Sequence, residues 1–162
     1  MSSTIIEVAI KLLSDHNCSE HELVRRLEKE FADLSDVDAR IESAVKRLRE
    51  LHLINDQRLA ESLAERYEKK GNRFITQVLK QKGVNDEVIA EALSSLGDEH
   101  ARALAEARKK GARKRDESPE KTKNRLYRFL SGRGFSFEII TKVVQQLQNE
   151  NFFTLSDDNI PA

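Results

Sequence analysis

The sequence predicts an all-α protein: three tandem three-helix repeats of helix-turn-helix-like form, set in an elongated, curved array. Three observations lead there. Glu, Lys, Arg, Ala and Leu, the strong helix formers, dominate a chain with 35% charged residues, two prolines and six glycines. Val, Ile and Thr never form the alternating run of a half-buried strand. A stretch of sequence also recurs at an offset of 51 residues, a spacing that marks an array of units burying their apolar faces on one another.

The repeat is clearest where ITQVLKQKGVNDEVIAEAL, residues 75–93, aligns without gaps on LYRFLSGRGFSFEIITKVV, residues 126–144. Ile75 matches Leu126, Leu79 matches Leu130, Val84 matches Phe135 and Ile89 matches Ile140. At each junction a helix ends in a basic residue, Lys82 or Arg133, which suits the negative end of the helix dipole. Gly83 or Gly134 follows where helices commonly turn left-handed, an apolar residue then folds back, and Asn85 or Ser136 caps the next helix.

The first repeat, residues 1–54, is a looser copy. Ile5, Val8, Ala9, Leu12 and Leu13 make its opening stripe. Ser19 and Glu22 have capping-box spacing, and Leu23, Val24, Leu27 and Phe31 share a face. Asp36 is placed to cap a third helix carrying Val37, Ile41, Ala44, Val45 and Leu48. The second repeat, residues 55–97, opens with Leu59, Ala60, Leu63, Ala64 and Tyr67. The third, residues 98–149, has a smaller stripe of Ala101, Leu104 and Ala105 that runs into Arg108-Lys109-Lys110-Gly111-Ala112-Arg113-Lys114-Arg115. Ser118-Pro119 restarts a helix with a cap and a first-turn proline. Residues 150–162 read as a tail, either docked through Phe152 and Phe153 or disordered.

Catalytic chemistry finds no foothold. No phosphate loop GxxxxGK[ST] and no GxSxG elbow is present, and Gly132-Arg133-Gly134 is explained as a helix end. His16, His21, His52 and His100 are scattered, and the lone Cys18 has no zinc-type partners, so neither metal nor cofactor is expected. The N-terminal stretch holds Glu7 and Lys11 within its apolar residues, which argues against a signal peptide or membrane span and for a cytoplasmic protein. A binding protein rather than an enzyme is the expectation.

Net charge is zero but unevenly spread. Residues 1–55 carry 8 basic and 11 acidic side chains, whereas the segment 102–133 carries 12 basic against 4 acidic, with few carboxylates placed to neutralise it. Lys121, Arg125 and Arg128 fall at i, i+4 and i+7 on one helix face, away from Leu126, Phe129 and Leu130. Together with Arg108, Lys109, Lys110, Arg113, Lys114 and Arg115, and with Lys123 and Arg133, they form the candidate contact surface. Such a surface meets a phosphate backbone without reading sequence, or an acidic protein face. A smaller basic group, Arg58, Arg66, Lys69, Lys70 and Arg73, surrounds Tyr67, and Arg25 and Arg26 precede Leu27. The absence of Trp and the scarcity of exposed-looking aromatics argue against base stacking.

The segments ESAVKRLRELHLINDQRLAES, ITQVLKQKGV and NRLYRFLSGRGFSFEII resemble the RecX regulatory proteins of bacteria over roughly residues 5–148. The most specific pieces are Asn55-Asp56-x-Arg58-x-Ala60, Leu79-x-x-Lys82-Gly83, and Arg128-Phe129-Leu130-x-x-Arg133-Gly134-Phe135. The chain departs from the family pattern at three places. His52-Leu53 stands where the family usually has Gly-Tyr or Gly-Leu, Val78 where a glutamate is common, and Phe74 where a basic residue often precedes the isoleucine. A monomer is expected, and the resemblance implies a tandem of three-helix units that lies in the helical groove of the filament formed on single-stranded DNA by the RecA recombinase. There it blocks extension or promotes disassembly, restraining recombination, repair and the SOS response. A direct, sequence-independent binder of single- or double-stranded DNA is the alternative, since three-helix units also build helix-turn-helix DNA-binding folds.

Overall fold

The computed structural model describes residues 4–111 and 114–154, which contain nine α-helices and no strand. They are α1 Ile5–Asp15, α2 Glu20–Glu30 and α3 Val37–Glu50; α4 Asp56–Arg66, α5 Asn72–Gln81 and α6 Asp86–Ser95; α7 Glu99–Lys110, α8 Pro119–Gly132 and α9 Phe137–Asn149. The all-α repeat follows from the periodicity: three helices, three times.

Caps start the helices where the polar residues predict. Thr4 and Ser19 each close a full capping box, with Glu7 and Glu22 reaching back to the cap N–H. Ser118 receives the Lys121 N–H ahead of Pro119, and Ser136 receives the Ile139 N–H. Asn85 accepts from the Val88 N–H at 2.9 Å. Asp36 is the exception, because it precedes α3 but makes no side-chain cap hydrogen bond. Its φ is 57°, in the left-handed region, whereas a capping side chain needs the extended backbone that aims its oxygen at the first-turn N–H groups.

The helix ends form a second regular feature. The Val84 N–H bonds the Leu79 carbonyl at 3.1 Å, and the Phe135 N–H bonds the Leu130 carbonyl at 3.2 Å, with Gly83 and Gly134 left-handed between them. Val84 and Phe135 are buried by the fold-back. Other residues do the same at the ends of α3 and α9. Leu53 bonds Leu48 at 2.9 Å around His52, φ 56°, and Phe152 bonds Leu147 at 2.9 Å around Asn151, φ 57°. Asn tolerates that conformation, but a Cβ-bearing histidine adopts it at a cost of about 1 kcal/mol.

The chain divides into two compact units, Met1–Ala64 with Gln77–Ala92, and Glu65–Thr76 with Leu93–Ala162. In the first, Ala9, Leu23, Leu27, Ile41, Val45 and Leu48 meet in one core formed by α1, α2 and α3. In the second, Leu126, Leu130, Phe135, Ile140, Val143 and Leu147 form the core with Ala103 and Ala107. Each fully buried Leu or Ile contributes about 1.5–3 kcal/mol relative to exposure. Phe153 is buried in this second core and Phe152 packs against it, so the two phenylalanines dock on the last repeat. Residues 155–162 of the expected tail lie outside the described residues.

Helix α7 differs from its sequence reading. Ala101 and Ala105 are exposed, and the buried face is Ala103, Glu106 and Ala107 with Leu104 half-buried. The face turns because α7 packs against both α8 and α9. Its small residues allow close approach, and Glu106 lies in reach of Arg133.

One joint occurs once in each unit. In the first, the Ser19 hydroxyl, at the start of α2, donates to the Lys82 carbonyl beside Gly83. The Glu20 N–H bonds the Asp56 carboxylate at 2.9 Å. In the second, Gly71, at the start of α5, donates its N–H to the Arg133 carbonyl at 2.8 Å. The Asn72 N–H bonds the Glu99 carboxylate at 2.9 Å. In both, the second helix of one repeat starts against the glycine turn of the next, and an acid from the next repeat's first helix satisfies an orphan N–H.

Candidate functional site

Helix α8 carries the basic face. Thr122, Leu126 and Leu130, at i, i+4 and i+8, are fully buried and fix the helix's rotation. Lys121 and Arg128 consequently stand exposed, and they line one cleft with Asn124, Arg125 and Glu117. The three cations predicted to share a face do share it.

They are not equivalent. Arg125 is half-buried and holds Glu117 with two parallel hydrogen bonds, both 3.0 Å, while a third N–H reaches the Lys110 carbonyl at 2.6 Å. The forked guanidinium suits this bidentate arrangement. Hydrogen bonding from Arg125 pulls the Glu117 carboxyl down from 4.5 to about 2. Arg125 therefore ties the segment before α8 to the end of α7, and its charge is matched.

The scarcity of neutralising carboxylates read from the sequence does not hold for several other cations. Arg108 pairs with Glu150 at 2.7 Å, and Glu106 is 3.4 Å from Lys109 and 3.9 Å from Arg133. Glu150 lies far along the chain and reaches Arg108 only through the packing of α9 on α7. Aromatic faces engage others. The Arg133 guanidinium lies 4.8 Å from the Phe129 ring centre, Lys110 5.8 Å from the same ring, and Lys123 5.7 Å from Phe153. Lys123 also bonds Gln148 at 3.2 Å. Lys114, Arg115, Lys121 and Arg128 are exposed and have no ion-pair partner among the described residues. Arg113 lies outside the described residues.

The secondary basic groups are dispersed. Arg25 and Arg26 are exposed on α2, and Arg58 is exposed on α4, all in the first unit. Arg66, Lys69, Lys70 and Arg73 belong to the second unit. There Tyr67 meets Phe74 edge-on at 5.3 Å, and Lys70 lies 5.2 Å from the Phe74 ring. Arg73 is exposed and lines a cleft with Arg128, Tyr127 and Phe137. Cys18 is half-buried, and burial pushes its thiol up, away from nucleophilic use.

Two features escape the sequence reading. Arg102 reaches back to the carbonyls of Glu68 at 2.9 Å and Lys70 at 2.7 Å and to the Asn72 side chain, a structural role that removes it from the free basic surface. Burial lowers its pKa. Phe137 is 75% exposed at the first position of α9, where the aligned residue of the preceding repeat is Asp86. An aromatic in the place of a first-turn acid is the signal that could have found it.

No helix among the described residues is long and apolar enough to cross a membrane, and no group of three or more His, Cys, Asp or Glu among them could hold a metal ion.

Comparison with known proteins agrees with this architecture. Residues 98–144 match the profile of the third three-helix domain of RecX, and residues 55–93 match that of the second. The chain is 34% identical over 146 residues to the regulatory protein RecX of Chromobacterium violaceum, covering 90% of this chain and 91% of that one. It is 32% identical over 151 residues to the regulatory protein RecX of Chlorobaculum tepidum, covering 91% of each. The crystal structure of RecX from Lactobacillus salivarius superposes with a TM-score of 0.75 at 26% identity, over 90% of this chain and 95% of that one. The matched domains, the relatives aligned over nearly their whole length and the shared fold lead to one conclusion: the chain belongs to the RecX family of regulatory proteins.

Proposed function

We propose that the protein binds the RecA–DNA filament and lowers its recombinase activity, restraining recombination, repair and the SOS response. The contact assigned to it is the basic face of the third repeat. One observation carries this choice: Lys121 and Arg128 stand exposed side by side on α8, with no ion-pair partner among the described residues, while their neighbour Arg125 is matched by Glu117. Unmatched cations on a helix give a field that phosphates or an acidic surface feel. Cations already paired would have to surrender a partner first.

The reading makes the protein a cytoplasmic monomer that acts by binding, with no cofactor. Family membership supports the regulatory role, and the charge distribution supports the choice of face. The test is a titration of the protein into RecA's DNA-dependent ATP hydrolysis. A concentration-dependent fall that weakens as salt is raised supports the reading. No change at any ratio of the two proteins rules it out.

A further inference from the structure

The first unit holds a cleft of about 400 Å³ where the ends of α1 and α3 meet the start of α4. His16 and Asn17 reach it from the end of α1, His52 from the end of α3, and Arg58 and Ser62 from α4. All five are exposed, and their side chains have no hydrogen-bond or ion-pair partner among the described residues. No carboxylate lines the cleft. Leu13, Leu53 and Leu59 supply its apolar wall.

His52 sets this cleft apart from ordinary surface. It follows α3 at φ 56°, whereas the equivalent left-handed places after α6 and α9 hold Gly97, φ 78°, and Asn151, φ 57°. Glycine takes that conformation freely and asparagine readily, while histidine takes it against a steric cost. An imidazole kept there points to a use for the ring.

Unpartnered donors with no carboxylate among them make a site for an anion. Arg58 brings a fixed charge and a forked set of N–H groups. Each imidazole brings an N–H whether neutral or protonated, and Asn17 and Ser62 bring neutral donors. A phosphate monoester suits that inventory, because its three free oxygens are strong acceptors and carry close to two charges near neutral pH. A carboxylate has two oxygens and one charge, and leaves more of these donors unsatisfied. A long polyanion is disfavoured for a different reason. Residues 1–55 hold 11 acidic side chains against 8 basic, and a strand or acidic peptide laid across the cleft meets that surplus. A compact anion does not. The leucine wall suits an organic group carried by the phosphate.

We infer that this cleft binds a small phosphate monoester, with inorganic phosphate as its minimal form. The phosphoryl oxygens lie on Arg58, His16 and His52, and the organic group lies against Leu53. The site rests on no part of the RecA reading and shares no residue with the basic face of α8.

The test titrates inorganic phosphate, and separately phenyl phosphate, into the full chain without RecA or DNA, followed by backbone amide NMR. Saturable shifts are expected at Asn17, Leu53 and Ser62, with phenyl phosphate the tighter of the two because its ring covers the leucine wall. Arg58→Gln weakens phenyl phosphate about tenfold, the loss of a hydrogen bond between charged groups. His52→Gly weakens it several-fold while relieving the left-handed strain, so that loss does not come from a weakened fold. Lys46→Gln, which removes an exposed first-unit cation outside the cleft, leaves it unchanged. Shifts that do not saturate, equal affinity for the two probes, or undiminished binding by either Arg58→Gln or His52→Gly overturn the proposal. So does displacement of phenyl phosphate by oligo(dT) or a poly-glutamate peptide at equal charge, which makes a polymer the ligand. Failure here leaves the RecA reading standing, since neither RecA nor α8 takes part, and a lack of effect on RecA leaves this site standing.

Discussion

Gly71 donates its backbone N–H to the Arg133 carbonyl at 2.8 Å, and a Cβ placed on Gly71 would stand 2.2 Å from the carbonyl carbon of Gly134. Two stretches of backbone, far apart in sequence, touch with no side chain between them. Gly134 is itself left-handed at φ 84°, and a Cβ there would stand 2.5 Å from the Cβ of Phe74. The contact is possible only because both residues are glycine.

Gly71→Ala therefore forces the start of α5 away from the turn after α8. We expect a loss of about 2–3 kcal/mol in urea unfolding, the usual cost of overpacking where backbone cannot yield. Gly132→Ala is the matched control. Its Cβ would meet nothing within 4 Å, and the position is helical, so stability should hold or rise by about 0.5 kcal/mol. Equal losses in the two variants would mean that the close approach does not govern the second unit.

His52 closes α3 in the left-handed conformation at φ 56°. Removing its Cβ relieves the clash, while the added freedom of the unfolded chain takes part of the gain back. His52→Gly should raise the urea midpoint by the equivalent of about 0.5 kcal/mol, and His52→Val should lower it. A midpoint lowered by the glycine variant would mean that the imidazole contributes more than the strain removes.

Glu117 links stability to acid. Its carboxyl is held at about 2 by Arg125, below the ordinary 4.5, so the folded state binds its proton less readily than the unfolded chain. The contribution is complete above pH 4.5 and is lost as pH falls toward 2. Stability measured across that window should fall less steeply in Glu117→Gln than in wild type, with the two curves converging at the acid end. Parallel curves would remove the Arg125 contact as the cause.

Much of the fold was legible because backbone chemistry enforces it locally. Ser19 with Glu22, Ser118 with Pro119, and Gly134 followed by Phe135 announce helix starts and stops through hydrogen bonds made within a few residues. Asp36 failed that reading because a cap depends on φ as well as residue type, and its φ is set by the turn before it. Ala101 and Ala105 failed because alanine fits a core or a surface equally well, so the rotation of α7 was decided by its neighbours. The candidate site was legible as charge but not as availability. Nothing local tells that Glu150 would reach Arg108, or that Arg102 would turn to the carbonyls of Glu68 and Lys70. Phe137 was hidden by the rule that aromatics go inside.

The basic face of α8 is the centre of the functional account, and its three cations should separate by role. Arg125→Ala should destabilise the second unit, because it removes two hydrogen bonds from Glu117 and one from the Lys110 carbonyl. Lys121→Glu with Arg128→Glu should leave the unfolding midpoint near wild type, since both side chains are exposed and have no ion-pair partner among the described residues. The decisive measurement is the affinity of this double variant for preformed RecA filaments on single-stranded DNA, beside wild type in the same salt. Binding weakened at least about tenfold is expected, the effect of reversing two charges at a contact, with inhibition of strand exchange lost in parallel. Wild-type affinity and full inhibition in the folded double variant would contradict it.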